Sequence, residues 1–273
     1  MSVRINSVMQ QHVANNISRA DNVRKIGQKQ VASGQRMFEA SQEPGGVALS
    51  EKFRARIQGL RESANNIGQA QSAIQVASGA AQSVGGALQR MRTLAMEAAS
   101  GTLSPEQRAT MQQELGQLQE TVESVATGTE FNGVELTNGV VGSFEVQVGE
   151  MAGDTMTVGL GDLTGANLGT DAGSISLGTQ ADAQAAISAI DGAIEQVANQ
   201  ESAFGAVSNR LGVTFDGVQG EFENMVDTES RIRDVDTAEA TAMVAREEIM
   251  SKAGMAVLVQ ANTDSRFAAR LLS

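Results

Sequence analysis

Ile5-Asn6-Ser7-Val8-Met9-Gln10-Gln11-His12-Val13-Ala14-Asn15-Asn16-Ile17 decides the fold. Ile5, Met9, Val13 and Ile17 recur at helical spacing, and Ala20, Val23, Ile26 and Val31 carry the stripe onward. Residues 3–32 therefore read as one long helix with a narrow apolar seam near heptad spacing. Residues 235–272 do the same: Met243, Met250, Val257 and Leu271 lie seven or fourteen apart, with Ala242, Ile249 and Ala256 beside them. A narrow seam cannot bury itself and needs a partner helix; the partner nearest to hand is the other end of the chain. Two terminal helices paired in a coiled coil, with the middle held away from them, describe an assembly device rather than an enzyme.

Composition agrees. The 273 residues include no Trp, no Tyr, two Pro and only 8 Phe, so the aromatic bulk that usually closes a compact core is missing. The apolar residues are nonetheless periodic, which separates this chain from a disordered one of low hydrophobicity. The expected class is mainly α: an elongated antiparallel helical rod with terminal coiled-coil helices and a small β-hairpin region in the middle. Without Cys, neither a disulfide framework nor a thiolate metal site can be built. The opening Met1-Ser2-Val3-Arg4-Ile5-Asn6 lacks the charged lead and apolar run of a secretory signal. No apolar stretch approaches the roughly 18 residues of a membrane span. Alone, these features imply a cytoplasmic protein unless export takes another route.

The net charge of −12 is unevenly spread. Between Ala109 and Asn209 there is no Lys or Arg, against 14 Asp and Glu. Nucleic acid is a poor partner for such a chain, since phosphate binding needs clustered cations. A solvated acidic middle, with termini that meet each other or their neighbours, fits the pattern.

Along the chain, the first helix is expected to end near Val31, with Ser33-Gly34-Gln35-Arg36 as a joint. Glu43-Pro44-Gly45-Gly46 is expected to stop any helix. From Val47 to Ser100 the helical pattern resumes through Leu60, Ile67, Ile74, Leu88, Met91 and Leu94, and Gly101 is placed as its C-cap. Ser104-Pro105-Glu106-Gln107 has the form of a capping box, and the helix it starts closes at Gly128. The period then changes. Phe131–Leu136, Phe144–Val148 and Thr155–Val158 alternate apolar and polar residues and read as short antiparallel strands. Asn138-Gly139 and Gly153-Asp154 are the turns expected between them. Residues 159–180 are rich in Gly, Thr and Asp and read as loop. A helix resumes near Asp182 and runs to about Asp227, and the last begins between Asp234 and Thr237. The domain scheme is 1–42 as an N-terminal assembly helix, 43–130 as the ascending rod and 131–181 as hairpin region and acidic loop. Residues 182–230 are the returning rod and 231–273 the C-terminal assembly helix.

Catalytic chemistry finds little to work with. His12 is the one histidine and lies beside the seam residue Val13, where an interface or solvated role suits it better than catalysis. Zinc sites of the common kinds, a Ser-His-Asp triad and a Cys-His pair cannot be assembled. Asp154, Asp162 and Asp171 fit neither an EF-hand nor a calcium-binding repeat and read as solvated loop acids. No metal, cofactor or catalytic residue is expected.

Several motifs in register resemble the bacterial flagellin family. They include Ser33-Gly34-Gln35-Arg36, Gly45-Gly46-Val47-Ala48-Leu49-Ser50-Glu51, Ile57-Gln58-Gly59-Leu60, Leu88-Gln89-Arg90-Met91-Arg92 and Glu130-Phe131-Asn132-Gly133-Val134. Val146-Gln147-Val148-Gly149 resembles the family's hairpin, and Ser230-Arg231-Ile232-Arg233-Asp234-Val235-Asp236 with Val259-Gln260-Ala261-Asn262 its terminal signature. The likeness covers about residues 1–160 and 185–273. It departs from the family at Asp264–Ser273, which lacks the proline common in the last turn, and the short 159–180 segment makes this a minimal form without large outer domains.

The resemblance implies a structural subunit of the flagellar filament that serves swimming motility. Its terminal helices would form the inner tube of a helical homopolymer, with Ile5, Val13, Ile17, Ile249, Val257, Phe267 and Leu271 as the self-assembly seam. It further implies hook-associated junction and cap proteins as partners and an export chaperone at the C-terminal region. The location implied is extracellular, in the flagellum, reached through the flagellar export apparatus without a cleaved signal peptide. The family's epitope for a host innate immune receptor maps onto Arg90, Leu94 and Glu114. Neither nucleic acid nor membrane is implied. Two other readings stay open: a hook–filament junction protein, which shares related terminal helices, and a flagellin-like surface adhesin or glycan binder using the acidic middle. The continuous match through Leu88–Met91 and Phe131–Val134 favours the filament subunit over the first. The missing Trp and Tyr remove the usual sugar-stacking platform from the second.

Overall fold

The structure, a computed structural model, describes residues 2–37 and 43–271, with side chains for 8–37 and 43–263. The chain runs α1 (Ser2–Ser33), α2 (Pro44–Ala98), α3 (Pro105–Gly128), β1 (Glu130–Phe131), β2 (Val134–Glu135), β3 (Ser143–Gln147), β4 (Thr155–Gly159), α4 (Gly165–Leu168), α5 (Gln180–Arg233) and α6 (Thr237–Leu271). The class is mainly α with small antiparallel hairpins, as the periodicity requires. Two compact units divide it: Met1–Ile57 with Asn224–Ser273, and Gln58–Glu223. None of the described helices is long and apolar enough to cross a membrane.

In the unit Gln58–Glu223, heptad spacing does the packing. Leu60, Ile67, Ile74, Ala81, Leu88 and Ala95 repeat every seven residues along α2, with Ala70, Ala77, Val84, Met91 and Ala98 offset by three, and all are buried. On α5, Ala183, Ile190, Val197, Phe204, Leu211 and Val218 follow the same period, and α3 contributes Leu115, Val122 and Ala126. Alanines alternating with Leu and Ile fill the seam, with Phe204 the only buried aromatic among the described residues.

The helix ends show which sequence signals hold. At α3, Gln107 N–H donates to Ser104 Oγ (3.3 Å) while Ser104 N–H donates to Gln107 Oε1 (2.9 Å), the expected capping box. Thr179 and Asp182 make a second at the start of α5, at 3.1 and 3.2 Å, two residues ahead of where the apolar pattern begins. Pro44 does not stop a helix; it starts one, and Val47 N–H already donates to Glu43 O (3.1 Å). Proline suits that position because a first-turn N–H has no intrahelical acceptor. Gly101 is not a left-handed cap: α2 ends at Ala98, and Gly101 keeps a negative φ. Likewise α3 runs through Gly128, with extended Thr129 as its cap.

Phe131–Leu136 is not one strand. Asn132 (φ 52°) and Gly133 (φ 77°) both turn left-handed, folding β1 onto β2 so that Phe131 faces Val134. Paired positive φ angles are what a tight two-residue hairpin needs, and Asn-Gly supplies them at least cost. The second hairpin pairs Ser143 with Gly159 through Gln147 with Thr155, placing Val146, Met156 and Val158 inside and Thr155 and Thr157 outside. Ser63 of α2, itself buried, lies 2.9 Å from the Gly149 carbonyl and anchors the hairpin's turn.

Residues 160–178 are not a solvated loop. Leu163, Leu168, Ile175 and Leu177 are buried, and α3 holds the segment's backbone with side chains one or two turns apart. Gln119 Nε2 donates to Thr170 O (2.9 Å) and Asp171 O (3.0 Å), Gln112 Oε1 accepts from Leu177 N–H (2.6 Å), and Glu123 Oε2 accepts from Gly165 N–H (3.1 Å). The acids Asp154, Asp162 and Asp171 each close a local turn, accepting from Met151 N–H, from Thr164 and from Ser174. Such turns are a routine use of short carboxylates. Among the described residues no group of three His, Asp or Glu could hold a metal ion.

Candidate assembly surface

In the unit Met1–Ile57 with Asn224–Ser273, α1 and α6 lie antiparallel in one constant register. Gln10 Nε2 donates to Asn262 Oδ1 (3.1 Å), Ile17 faces Gly254, Ser251 Oγ donates to Asp21 Oδ1 (3.2 Å), and Gly27 faces Val244. Val13, Ile17, Ala20, Arg24, Gly27 and Val31 make the covered face of α1, spaced four and three in turn. On α6 that face is Ala240, Val244, Glu247, Ser251, Gly254, Leu258 and Ala261. Small residues set the closeness: a Cβ at Gly254 would stand 2.7 Å from Ile17 Cγ1, and one at Gly27 2.7 Å from Val244 Cγ2. Side chains of real residues do not approach so far, so these glycines are required by packing.

The α1–α6 pairing leaves Met250 and Val257, with Ile249 beside them, uncovered, although the sequence pattern aims that stripe at the other terminus. Ile249 is 68% exposed and Val257 48%, with Met250, Met255 and Val259 open as well. On α1, Val13 and Ile17 do turn toward α6, whereas Val8, Met9, Val23 and Ile26 remain exposed. From Ala253 to Val259 the helix is apolar on nearly every side, the composition of a helix enclosed all round. One neighbour covers one side only. Ile5, Phe267 and Leu271 lie outside the residues whose side chains are described.

The joints between these helices are clasped through the backbone. Arg36 N–H donates to Arg233 O (2.7 Å), Val235 N–H donates to Gly34 O (3.1 Å), and the Arg36 guanidinium reaches Ile232 O (3.0 Å). Gly34, at φ 70°, makes the bend that the sequence marks as a joint. Arg233 extends from the clasp to Ser50 Oγ (3.3 Å) and to Glu229 and Glu51 (3.5 Å each), tying the first turns of α2 to the last of α5.

The three residues of the expected receptor epitope divide. The Arg90 guanidinium and Glu114 carboxylate pair at 2.8 Å between α2 and α3 and stay accessible. Leu94 is 2% exposed and belongs to the core of its own unit. His12 is exposed on α1. A groove of about 410 Å³ lies between Ala70 and Ala73 of α2 and the side chains of Phe131, Val134, Phe144 and Val146. Its rim is mostly amide, from Asn66, Gln69, Asn132 and Gln147, which is no base–nucleophile pair.

Residues 5–142 match the bacterial flagellin N-terminal helical region and residues 187–272 the bacterial flagellin C-terminal helical region. The chain belongs to the bacterial flagellin family. A flagellar filament core protein of Brachyspira hyodysenteriae is 34% identical over 255 residues, spanning 89% of this chain and 90% of that one. A flagellin of Halalkalibacterium halodurans is 34% identical over 249 residues, spanning 90% and 92%. Among solved structures, Bacillus cereus flagellin superposes with a TM-score of 0.51 at 29% identity, over 56% of this chain and 88% of that one. A Vibrio parahaemolyticus protein described as flagellar hook-associated shares the fold, with a TM-score of 0.61 at 17% identity over 71% of this flagellin-family chain and 100% of its own.

Proposed function

We infer that the chain is the structural subunit of a bacterial flagellar filament and that it polymerises through the stripe α1 leaves uncovered on α6. The carrying observation is that Ile249, Met250, Val257 and Val259 are open to solvent on the sides of α6 that α1 does not cover. Apolar surface of this kind stabilises association by about 25 cal/mol per Å² removed from water, and further copies of the same helix pair offer matching surface. Kinship with a protein named for the filament core supports the reading. The role is extracellular and structural rather than catalytic.

Finer assignments follow from this reading. Residues 1–42 and 231–273 are the inner-tube segments, and Ile5, Val13, Ile17, Ile249, Val257, Phe267 and Leu271 are the assembly residues. Val13 and Ile17 act by holding α6 against α1, and Ile249 and Val257 by meeting another copy. Hook-associated junction and cap proteins bound the polymer, a chaperone escorts the C-terminal region through the flagellar export apparatus, and Arg90 with Glu114 form the accessible part of an immune-receptor surface.

Val257→Asp tests the reading. The variant is expected to keep the melting temperature of the Gln58–Glu223 unit while losing salt-induced polymerisation. Normal-length filaments in electron micrographs of Val257→Asp would overturn it. Unmodified protein that yields no long polymers would favour the junction reading instead.

A further inference from the structure

We propose that Met9, Met250 and Met255 are oxidation sites through which a two-electron oxidant such as hydrogen peroxide withdraws free subunits from polymerisation; the inference rests on the filament reading. The chain holds 12 Met and no Cys, Trp or Tyr, so thioethers are its principal oxidisable side chains. They fall into distinct environments. Met37, Met91 and Met156 are buried within their own units. Met9 on α1 and Met250 and Met255 on α6 are each about half exposed on the terminal helices. Met96 and Met151, in the Gln58–Glu223 unit, are also exposed.

The chemistry balances without a further reactant. The methionine sulfur donates an electron pair to one peroxide oxygen, the O–O bond breaks, and hydroxide leaves to become water on taking up the remaining proton. Sulfur is oxidised by two electrons, peroxide is reduced by two, and the product is a sulfoxide. A flexible apolar side chain thereby becomes polar and acquires a strong acceptor. In the free subunit water satisfies that acceptor. In a polymer that buries the stripe it would be stranded among apolar neighbours such as Ile249 and Val257, a burial that costs free energy wherever no donor is at hand. Oxidation therefore selects against the polymer, while Met37, Met91 and Met156 stay shielded inside their units.

The test uses the full chain. Subunits are treated with dilute hydrogen peroxide, oxidation at each methionine is read by peptide mass spectrometry, and the critical concentration for sodium-chloride-driven polymerisation is measured by sedimentation. Oxidation at Met9, Met250 and Met255 is expected to raise the critical concentration roughly tenfold or more. Treatment with methionine sulfoxide reductases is expected to restore it. A Met9→Leu/Met250→Leu/Met255→Leu variant conserves volume and is expected to polymerise like the parent and to ignore peroxide. Met96 and Met151 report the oxidant dose in both proteins. An unchanged critical concentration after oxidation at the three sites overturns the inference, as does a leucine variant that remains peroxide-sensitive. In both cases untreated protein still polymerises and the filament reading stands. Untreated protein that never polymerises brings down that reading and this inference with it.

Discussion

Gly254 of α6 lies so close to Ile17 of α1 that a methyl group on the glycine would stand 2.7 Å from Ile17 Cγ1 and 3.1 Å from Cδ1. Ile17 is branched at Cβ and has little rotamer freedom on a helix to move aside. Gly254→Ala should therefore cost about 1–3 kcal/mol of α1–α6 pairing through overpacking, even though alanine is the better helix former by about 1 kcal/mol. Ile17→Ala makes the room, so the double variant should lose less than the two single losses combined. Depolymerisation temperatures of the four proteins in a double-mutant cycle measure the coupling; strict additivity would show that the two residues do not meet.

Gln119 is buried, and its amide serves the carbonyls of both Thr170 and Asp171. Gln119→Leu keeps the volume and strands those two acceptors, a loss of about 1–3 kcal/mol for each group left unsatisfied. The Gln58–Glu223 unit should melt earlier, and limited proteolysis should begin within residues 160–178. A cleavage pattern identical to the parent's would mean the apolar anchors Leu163, Leu168, Ile175 and Leu177 hold the segment unaided.

Those anchors also show where sequence reading stops. The long helices were legible because Leu60 through Ala95 and Ala183 through Val218 repeat every seven residues. Residues 160–178 have no period, and their compositional bias toward Gly, Thr and Asp outweighed four leucine and isoleucine side chains. The register of α6 is hard to read from sequence for a different reason. With apolar residues on nearly every side between Ala253 and Val259, periodicity selects no face, and weighting bulky residues pointed to Met250 and Val257. Close helix approach is instead chosen by what is small, here Ala240, Ser251 and Gly254, facing Ala20 and Gly27. The Asn132-Gly133 hairpin was readable in principle, since the dipeptide is a strong turn signal, but it sat inside an apolar–polar alternation that looked like one strand.

The start of α3 should respond to both mutation and acid. Ser104→Ala removes the cap and should cost about 1 kcal/mol. The Glu106 carboxyl is held below its ordinary value of 4.5, first by a hydrogen bond from its own backbone N–H and then by the Ser104 hydroxyl. A depressed folded-state value means that its contribution is fully present above about the ordinary value of 4.5 and fades as pH falls through the folded value. The gap in melting temperature between parent and Glu106→Gln should therefore be widest near neutrality and close under acid. A gap that stays constant down to about pH 3, roughly thirtyfold in proton activity beyond the ordinary value, would remove the carboxylate's charge from the account.

Polymerisation should depend steeply on salt. Between Ala109 and Asn209 each copy presents 14 carboxylates and no Lys or Arg, so subunits brought side by side repel. The screening length falls from about 10 Å at 0.1 M to about 3 Å at 1 M, which weakens that repulsion before it touches the apolar contact. Sodium chloride is the right probe, because sulfate also strengthens apolar burial by exclusion from the surface. Glu120, Glu130 and Glu195 are exposed, and none is among the proposed assembly residues. Neutralising all three, as Glu120→Gln/Glu130→Gln/Glu195→Gln, should shift the salt concentration for half-maximal polymerisation downward while leaving the high-salt critical concentration unchanged. If the triple variant instead needs as much salt as the parent, the acidic stretch does not oppose assembly, and the salt requirement must arise at the terminal helices themselves.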